Sequence, residues 1–394
     1  MKKKHKTAIF YAYSNNALDH LAPYVFLCNK KKMHCVVVYG EDFVSRKVFP
    51  NQKIVNIFRN NKIQIYNIPF FEKKGLIKTI FYYIWLWTGI IEYKKYIPIY
   101  LKNKLKGLCM RLYNTIDGDL IGKNIVKNLL KEDSKTFVFT DSCNSKKIKT
   151  NFLLKIKDHA KIITTGHSVW QRNQKPEKRI FTEDVALLSN SWEAKSKNYL
   201  KNKKIIGSLR FSKNWLKILD HHSTKSKNTR DKKKNIVVLM NPPHTTKNWK
   251  KMINTLVKLI HIKELNVKIL PHIRGMTSSE PPEELKNNWY KNLTLDTAIK
   301  NSDIVIFWGS SGVFEAVARD KKIFYLSFLD LNKKNYLWAN KVSKSIIMKN
   351  EKELLYNISN YKISNIQEND SFKKIILLNN SPWINASNFL DKIK

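Results

Sequence analysis

The sequence predicts an α/β protein built from two doubly wound domains, each a parallel sheet flanked by helices, that face each other across a cleft. Three observations lead there. Short, continuous apolar runs rich in Val, Ile and Phe recur, as in strands covered on both faces. Helical stretches alternate with them, the β-α-β order of a parallel sheet. A polar, charged stretch without periodicity, His221 to Lys234, interrupts the pattern past the middle of the 394-residue chain. That length exceeds one ordinary hydrophobic core, so we read residues 1–220 and 235–394 as domains and 221–234 as their linker.

Thr7 to Ala12 is a first buried strand, Tyr13-Ser14-Asn15-Asn16 a polar turn, Leu18 to Leu27 a helix, and His34 to Gly40 the strand that closes the unit. Asp19 and His20 lie just past the first strand. Facing the cleft, either can deprotonate an acceptor hydroxyl; otherwise Asp19 favours the first helical turn and His20 is a surface residue. A third strand spans Lys62 to Tyr66. The apolar stretch Thr79 to Ile91, flanked by Lys78, Lys94 and Lys95, is shorter than the roughly 20 residues of a spanning helix. It reads either as an interfacial helix on an anionic membrane surface, with Trp85 and Trp87 at headgroup depth, or as a buried core helix. Further strands run from Lys135 to Thr140, ending in Asp141-Ser142, and from Lys161 to Thr165, ending in Gly166-His167-Ser168. His167 directly follows a strand, which makes it a candidate catalytic residue. Val185 to Ser189 and Lys204 to Ser208 complete this half, with a helix starting at Ser191-Trp192-Glu193.

The second half opens on the strand Asn235 to Met240, which ends in Asn241-Pro242-Pro243-His244, a loop that cannot continue as sheet or helix. A helix from about Asn248 to Ile262 leads to the strand Asn266 to Leu270 and the loop Pro271-His272-Ile273-Arg274-Gly275. Asn292 to Leu295 reads as a short strand, with a helical turn at Thr297-Ala298-Ile299. The central unit is Asn301 to Leu326: strand Asp303 to Trp308, turn Gly309-Ser310-Ser311-Gly312, helix Val313 to Arg319, strand Lys322 to Leu326. Two hydroxyls and free backbone amides at the start of a helix suit a phosphate, and Glu315 one turn on suits the hydroxyls of a ribose or sugar. Ser310 and Ser311 are equally what a plain helix cap uses. In a doubly wound sheet the loops carrying His244, His272 with Arg274, and Ser310-Ser311 gather at one edge, where cations and donors can surround a diphosphate leaving group.

The charge, 73 basic against 31 acidic residues for a net +42, is spread from end to end alongside abundant Asn and Ile, the bias of an A+T-rich coding sequence. No RNA-binding aromatic motif, zinc-finger spacing or helix-turn-helix pattern accompanies it, which argues against nucleic acid as partner. Cys28, Cys35, Cys109 and Cys143 form no close-spaced pair, and Cys28 and Cys35 have apolar neighbours, so they read as core thiols. No acidic pair flanks the phosphate loops, so neither metal nor cofactor is called for. The basic N-terminus lacks a long apolar run and a small-residue cleavage site, which makes the expected location cytoplasmic, peripheral at the inner face of the cell membrane if Thr79–Ile91 meets lipid.

Three segments, IIGSLRFSKNWL (Ile205–Leu216), LPHIRG (Leu270–Gly275) and SDIVIFWGSSGVFEA (Ser302–Ala316), resemble the GT-B class of glycosyltransferases. They are similar to bacterial surface-polysaccharide transferases, capsule enzymes among them, and to the CDP-glycerol glycerophosphotransferases of teichoic-acid synthesis. The resemblance implies two Rossmann-like domains facing a cleft, a nucleotide-sugar donor on the second domain and a glycan or lipid-linked acceptor on the first. It implies that His272, Ser310 and Ser311 contact the donor phosphates, and that Gly166-His167 is the histidine loop of the first domain. Leu270 stands where relatives often carry lysine, Pro271-His272 inverts the His-Pro order of the capsule enzymes, and Leu209 replaces a common proline. Glycerol- or ribitol-phosphate transfer and nucleotide-sugar 2-epimerisation are the alternatives on the same fold.

Overall fold

The computed structural model describes residues 6–12, 15–39, 51–67, 135–141, 153, 156–166, 183–197, 200–222, 233–241, 246–271, 281–290, 293–331, 346–361, 372–374 and 381–393. The expectations for Thr79–Ile91, for Cys109 and Cys143, and for most of the 221–234 linker fall outside them.

A seven-stranded parallel sheet is made by β1 (Thr7–Ala12), β2 (His34–Tyr39), β3 (Gln64–Asn67), β4 (Thr136–Asp141), β5 (Lys161–Thr165), β6 (Val185–Leu188) and β7 (Lys203–Ile205), in the order β3-β2-β1-β4-β5-β6-β7. Every residue of β1 is buried, which is why its sequence is a continuous apolar run rather than an alternation. Ala8 and Phe10 face one core and Ile9 and Tyr11 the other, each in register with β2 and β4. Phe10 stacks on Phe139 at 4.8 Å between ring centroids. Over this sheet lies α1 (Asn15–Lys30), longer than the expected Leu18–Leu27 and carrying Pro23 inside it. Proline has no amide hydrogen, so the carbonyl of Asp19, four residues earlier, loses its helical partner there. The second helix, α2 (Gln52–Asn60), buries Ile54, Val55, Ile57 and Phe58 and is capped by the Asn51 side chain. Cys28 and Cys35 are free and buried, and burial pushes the Cys35 thiol up to about 12, so it is an inert packing group.

The first half continues with α3 (Ser191–Ser196) and α4 (Lys213–His221). Its last strand is shorter than the expected Lys204–Ser208, because Gly207 turns the chain with φ 90° and Leu209–Phe211 coils into a 3-10 turn.

Five parallel strands form the second sheet: β8 (Lys234–Leu239), β9 (Leu265–Leu270), β10 (Ile304–Phe307), β11 (Lys322–Leu326) and β12 (Ile347–Met348), in the order β12-β11-β10-β8-β9. Its helices are α5 (Trp249–Ile260), α6 (Leu295–Lys300), α7 (Val313–Ala318), α8 (Glu351–Ser359) and α9 (Pro382–Ile393). Of the short strand expected at Asn292–Leu295, the described residues 293–295 are not strand: Thr294 is the N-cap of α6 and Leu295 is helical, its side chain covering Gly312. The final helix returns to the first half. Trp383 packs against Phe26, Asp391 pairs with Lys31 at 2.6 Å, and the Asn385 amide donates to the Ile206 carbonyl. Among the described residues no helix is long and apolar enough to cross a membrane.

Candidate functional site

The order of the second sheet creates a crevice. From β8 the chain moves outward to β9, then returns on the other side of β8 to form β10 and continues to β11 and β12. Connections leaving the carboxyl ends of β8 and β10 therefore diverge, and ligands of open α/β sheets lie at such a switch point. Asn241, 5% exposed, follows β8; Gly309, Ser310 and Ser311 follow β10. Gly309 has φ 85°, a conformation side chains disfavour, and it turns the strand sharply into the serines. Ser310 and Ser311 are half-buried, and the Ser310 hydroxyl accepts from the Gly312 amide at 3.3 Å. A Cβ on Gly312 would lie 3.0–3.1 Å from Leu295 and Leu239, so the missing side chain lets α7 approach β8.

Glu315 belongs to the same unit but is turned inward. It is 4% exposed, and its carboxylate accepts from the Arg319 Nε at 3.1 Å. Burial pushes its pKa above the usual carboxylate range, with Arg319 opposing and the Asp296 carboxylate adding to the rise. Arg319 also donates to Asp220 of α4 at 2.9 Å, which ties α7 to the end of the first half.

The first sheet has its own switch point, between β1 and β4, where Asp141 ends β4 with no exposure. Gly166 follows β5 and lies directly against the Glu193 carboxylate: an added Cβ would be 2.9 Å from its Oε2 and from the Ser189 hydroxyl. Glu193 is 3% exposed and held by the Ser189 amide and the Lys197 ammonium, both at 2.7 Å. It cannot swing away, so Gly166→Ala is expected to cost about 1–3 kcal/mol of stability as an overpacked site, measured by urea unfolding. The Tyr24 hydroxyl is pushed up by burial first and by the charge of Glu193 second.

Asp19 and His20 both meet Arg210 of the 3-10 turn. Asp19 pairs with its NH2 at 3.0 Å, and His20 Nε2 lies 3.3 Å from its NH1. A guanidinium only donates, so in that contact Nε2 of His20 is the acceptor. Burial pushes Asp19 above the usual range, Arg210 pulls it down, and Asp296 of the second half pushes it up again. Asp19 and Glu315, from opposite halves, thus share the charges of Arg210 and Asp296. Beside them Phe211 packs on Phe314, while Lys53 reaches Asp296 at 2.5 Å and Thr297 at 2.6 Å.

His167, His244, His272 and Arg274 lie outside the described residues; their described neighbours Gly166, Asn241 and Pro271 follow β5, β8 and β9. Sequence reasoning missed Arg210, Glu193 and Asp141 as members of these clusters. Arg210 lies inside the IIGSLRFSKNWL segment and Asp141 at a strand end, so both carried a signal; Glu193 looked like an ordinary first-turn acid.

No protein-family model and no curated protein matches the sequence. Solved structures do match the fold. A UDP-N-acetylglucosamine 2-epimerase from Neisseria meningitidis superposes with TM-score 0.54 at 9% identity, covering 98% of this chain and 99% of that one. The glycotransferase of kitacinnamycin gives 0.54 at 7% identity, covering 99% of each chain. The wall teichoic acid polymerase TagF gives 0.54 at 11% identity, covering 100% of this chain and 89% of that one. The chain has the two-domain α/β architecture these proteins share, the GT-B fold.

Proposed function

We propose that the protein is a GT-B glycosyltransferase that moves a sugar from a nucleotide-sugar donor to a surface glycan of the capsule or lipopolysaccharide type. The observation that carries this reading is the switch point between β8 and β10, flanked by Asn241 and the Ser310-Ser311 turn, within a fold shared with such enzymes. In the transfer, the bond from the anomeric carbon to the diphosphate breaks, a carbon–oxygen bond to the acceptor forms, and the acceptor proton passes to a base. Ser310, Ser311, His272, Arg274 and His244 would take the departing nucleoside diphosphate, and Asp19, His20 or His167 the proton. Gly312 admits the turn to the sheet edge, and Glu315, one turn into the helix, is held by Arg319, which ties that helix to Asp220.

The test is nucleotide binding. Calorimetry against UDP, CDP, CMP and GDP should find one that binds, and Ser310→Ala with Ser311→Ala, or His272→Ala, should weaken it by about 1–3 kcal/mol per lost charge-assisted contact. Unchanged affinity in both variants would place the donor elsewhere.

Two buried carboxylates at the carboxyl edge of the first sheet, Asp141 and Glu193, favour a second reading as a nucleotide-sugar 2-epimerase, since inverting a carbon centre needs acid–base groups. The products separate the two: transfer releases a nucleoside diphosphate, and epimerisation of UDP-N-acetylglucosamine leaves the sugar nucleotide intact with one centre inverted. Glycerol-phosphate transfer would instead release CMP from CDP-glycerol.

A further inference from the structure

One strand beyond the switch point, a cavity of about 390 Å³ opens at the carboxyl ends of β11 and β12, lined by Lys247, Asn248, Lys251, Ser327, Phe328 and Lys349. Its walls are anchored in the core. Thr246 accepts from the buried Trp308 indole at 3.0 Å and bridges to Asp330, and the Lys247 amide donates to the Leu329 carbonyl at 2.8 Å. Across the cavity the Ser327 hydroxyl donates to the Met348 carbonyl at 2.9 Å, which fixes Lys349 beside it. Lys251 is held over the Phe328 ring, 5.1 Å from its centroid. Among the described residues no ion pair uses the side chain of Lys247, Lys251 or Lys349. The nearby acids have other partners: Asp330 is 1% exposed and accepts from the Tyr325 hydroxyl, Glu353 accepts from the Lys349 backbone amide at 2.8 Å, and Glu351 accepts from Thr255 and Lys258 while also feeling the charge of Lys251. The twelve-residue α5 starts at the cavity, so its positive end adds to the three lysines that line it.

We propose that this cavity is a phosphate-binding site, taking a phosphate ester or diphosphate on Lys247, Lys251 and Lys349. Lysine serves phosphate as a mobile point charge, and three around one cavity suit a dianion better than any single neutral donor. The site is separate from the Ser310-Ser311 turn and uses none of its residues.

The probe is inorganic pyrophosphate, titrated into the protein at about 0.15 M ionic strength, where charges more than about 8 Å away are largely screened. Combined Lys247→Gln, Lys251→Gln and Lys349→Gln should weaken its binding about tenfold or more. A charge-matched control, Lys250→Gln, Lys263→Gln and Lys352→Gln, should change it less than about twofold, since lysines off the cavity act only through the screened general field. Equal losses in both triple variants, or no loss in the first, would overturn the proposal. The phosphate can belong to the donor or to a second substrate. Competition by UDP for the lysine-dependent binding assigns it to the donor, and competition by glycerol phosphate but not UDP assigns it to the second substrate. If no nucleotide binds anywhere while pyrophosphate still depends on the three lysines, the donor reading fails and this site stands.

Discussion

Arg319→Met is expected to destabilise the protein by about 3–5 kcal/mol at neutral pH, read from the urea midpoint with the slope unchanged. Methionine keeps most of the aliphatic stem, so the loss isolates the guanidinium. The Arg319 side chain is 7% exposed and bonds the side chains of Glu315, also buried, and Asp220, 31% exposed. Asp220 can turn to water or to Lys300, whose ammonium is 3.8 Å away, so Glu315 carries most of the cost. The sign with pH follows from Glu315. Its folded pKa already lies above the unfolded value because burial outweighs Arg319, and without Arg319 it rises further. A carboxyl of this kind favours the folded state below its unfolded pKa, and that contribution is lost as pH rises through the folded pKa. The deficit of the variant should therefore shrink from about pH 7 to about pH 4.5. Adding Glu315→Gln should recover a large part of it at neutral pH. A deficit independent of pH and untouched by Glu315→Gln would mean that packing, not an orphaned charge, accounts for the loss.

The parts of this fold that announce themselves are those in which every local choice agrees. Asp303 to Leu326 reads correctly as strand, turn, helix and strand because the apolar runs are continuous, Gly309 needs φ 85°, and the next strand follows at once. Residues 52–60 went unread because a nine-residue helix with only Ile54, Val55, Ile57 and Phe58 buried gives too few turns to establish a period. Asn292–Leu295 misled for the converse reason: two leucines around a threonine suit a strand, but Thr294 is a helix cap and Leu295 is drawn onto Gly312 by tertiary packing. At the candidate site, Ser310 and Ser311 were legible from the turn they follow. Glu315 was legible as part of the unit but its direction was not, since what turns it inward is Arg319 and the first half of the chain. Arg210 joins Asn16, Asp19 and His20 across 190 or more positions of sequence, and the Asn16 side-chain Oδ1 accepts from it at 2.9 Å. No local pattern encodes such a contact. The packing of α9 on α1 is of the same kind.

His167→Ala is expected to lower turnover about 10²–10⁴-fold, the usual consequence of deleting a general base, while nucleotide affinity stays within a few-fold of the parent. The expectation rests on how the three candidate bases are engaged. His20 gives its Nε2 lone pair to Arg210, so the ring has no basic nitrogen free on that side. Asp19 is paired to the same guanidinium, and its side chain remains 26% exposed. Removing either should release Arg210, whose charge is felt by Glu315 of the second half, and so should alter binding as well as rate. His167 immediately follows Gly166, which ends at the Glu193 carboxylate on the carboxyl edge of the first sheet. A base acting there is lost as pH falls, because the imidazole takes up a proton. The parent's rate should therefore decline on the acid side, and His167→Ala should show no such limb. Asp19→Asn and His20→Gln should keep the limb and lose rate together with nucleotide affinity. Turnover is followed as release of the nucleotide from whichever sugar nucleotide the binding screen identifies. If His167→Ala turns over at the parent rate while Asp19→Asn abolishes turnover with nucleotide affinity intact, the base is Asp19, and Arg210 serves to hold that carboxylate in place.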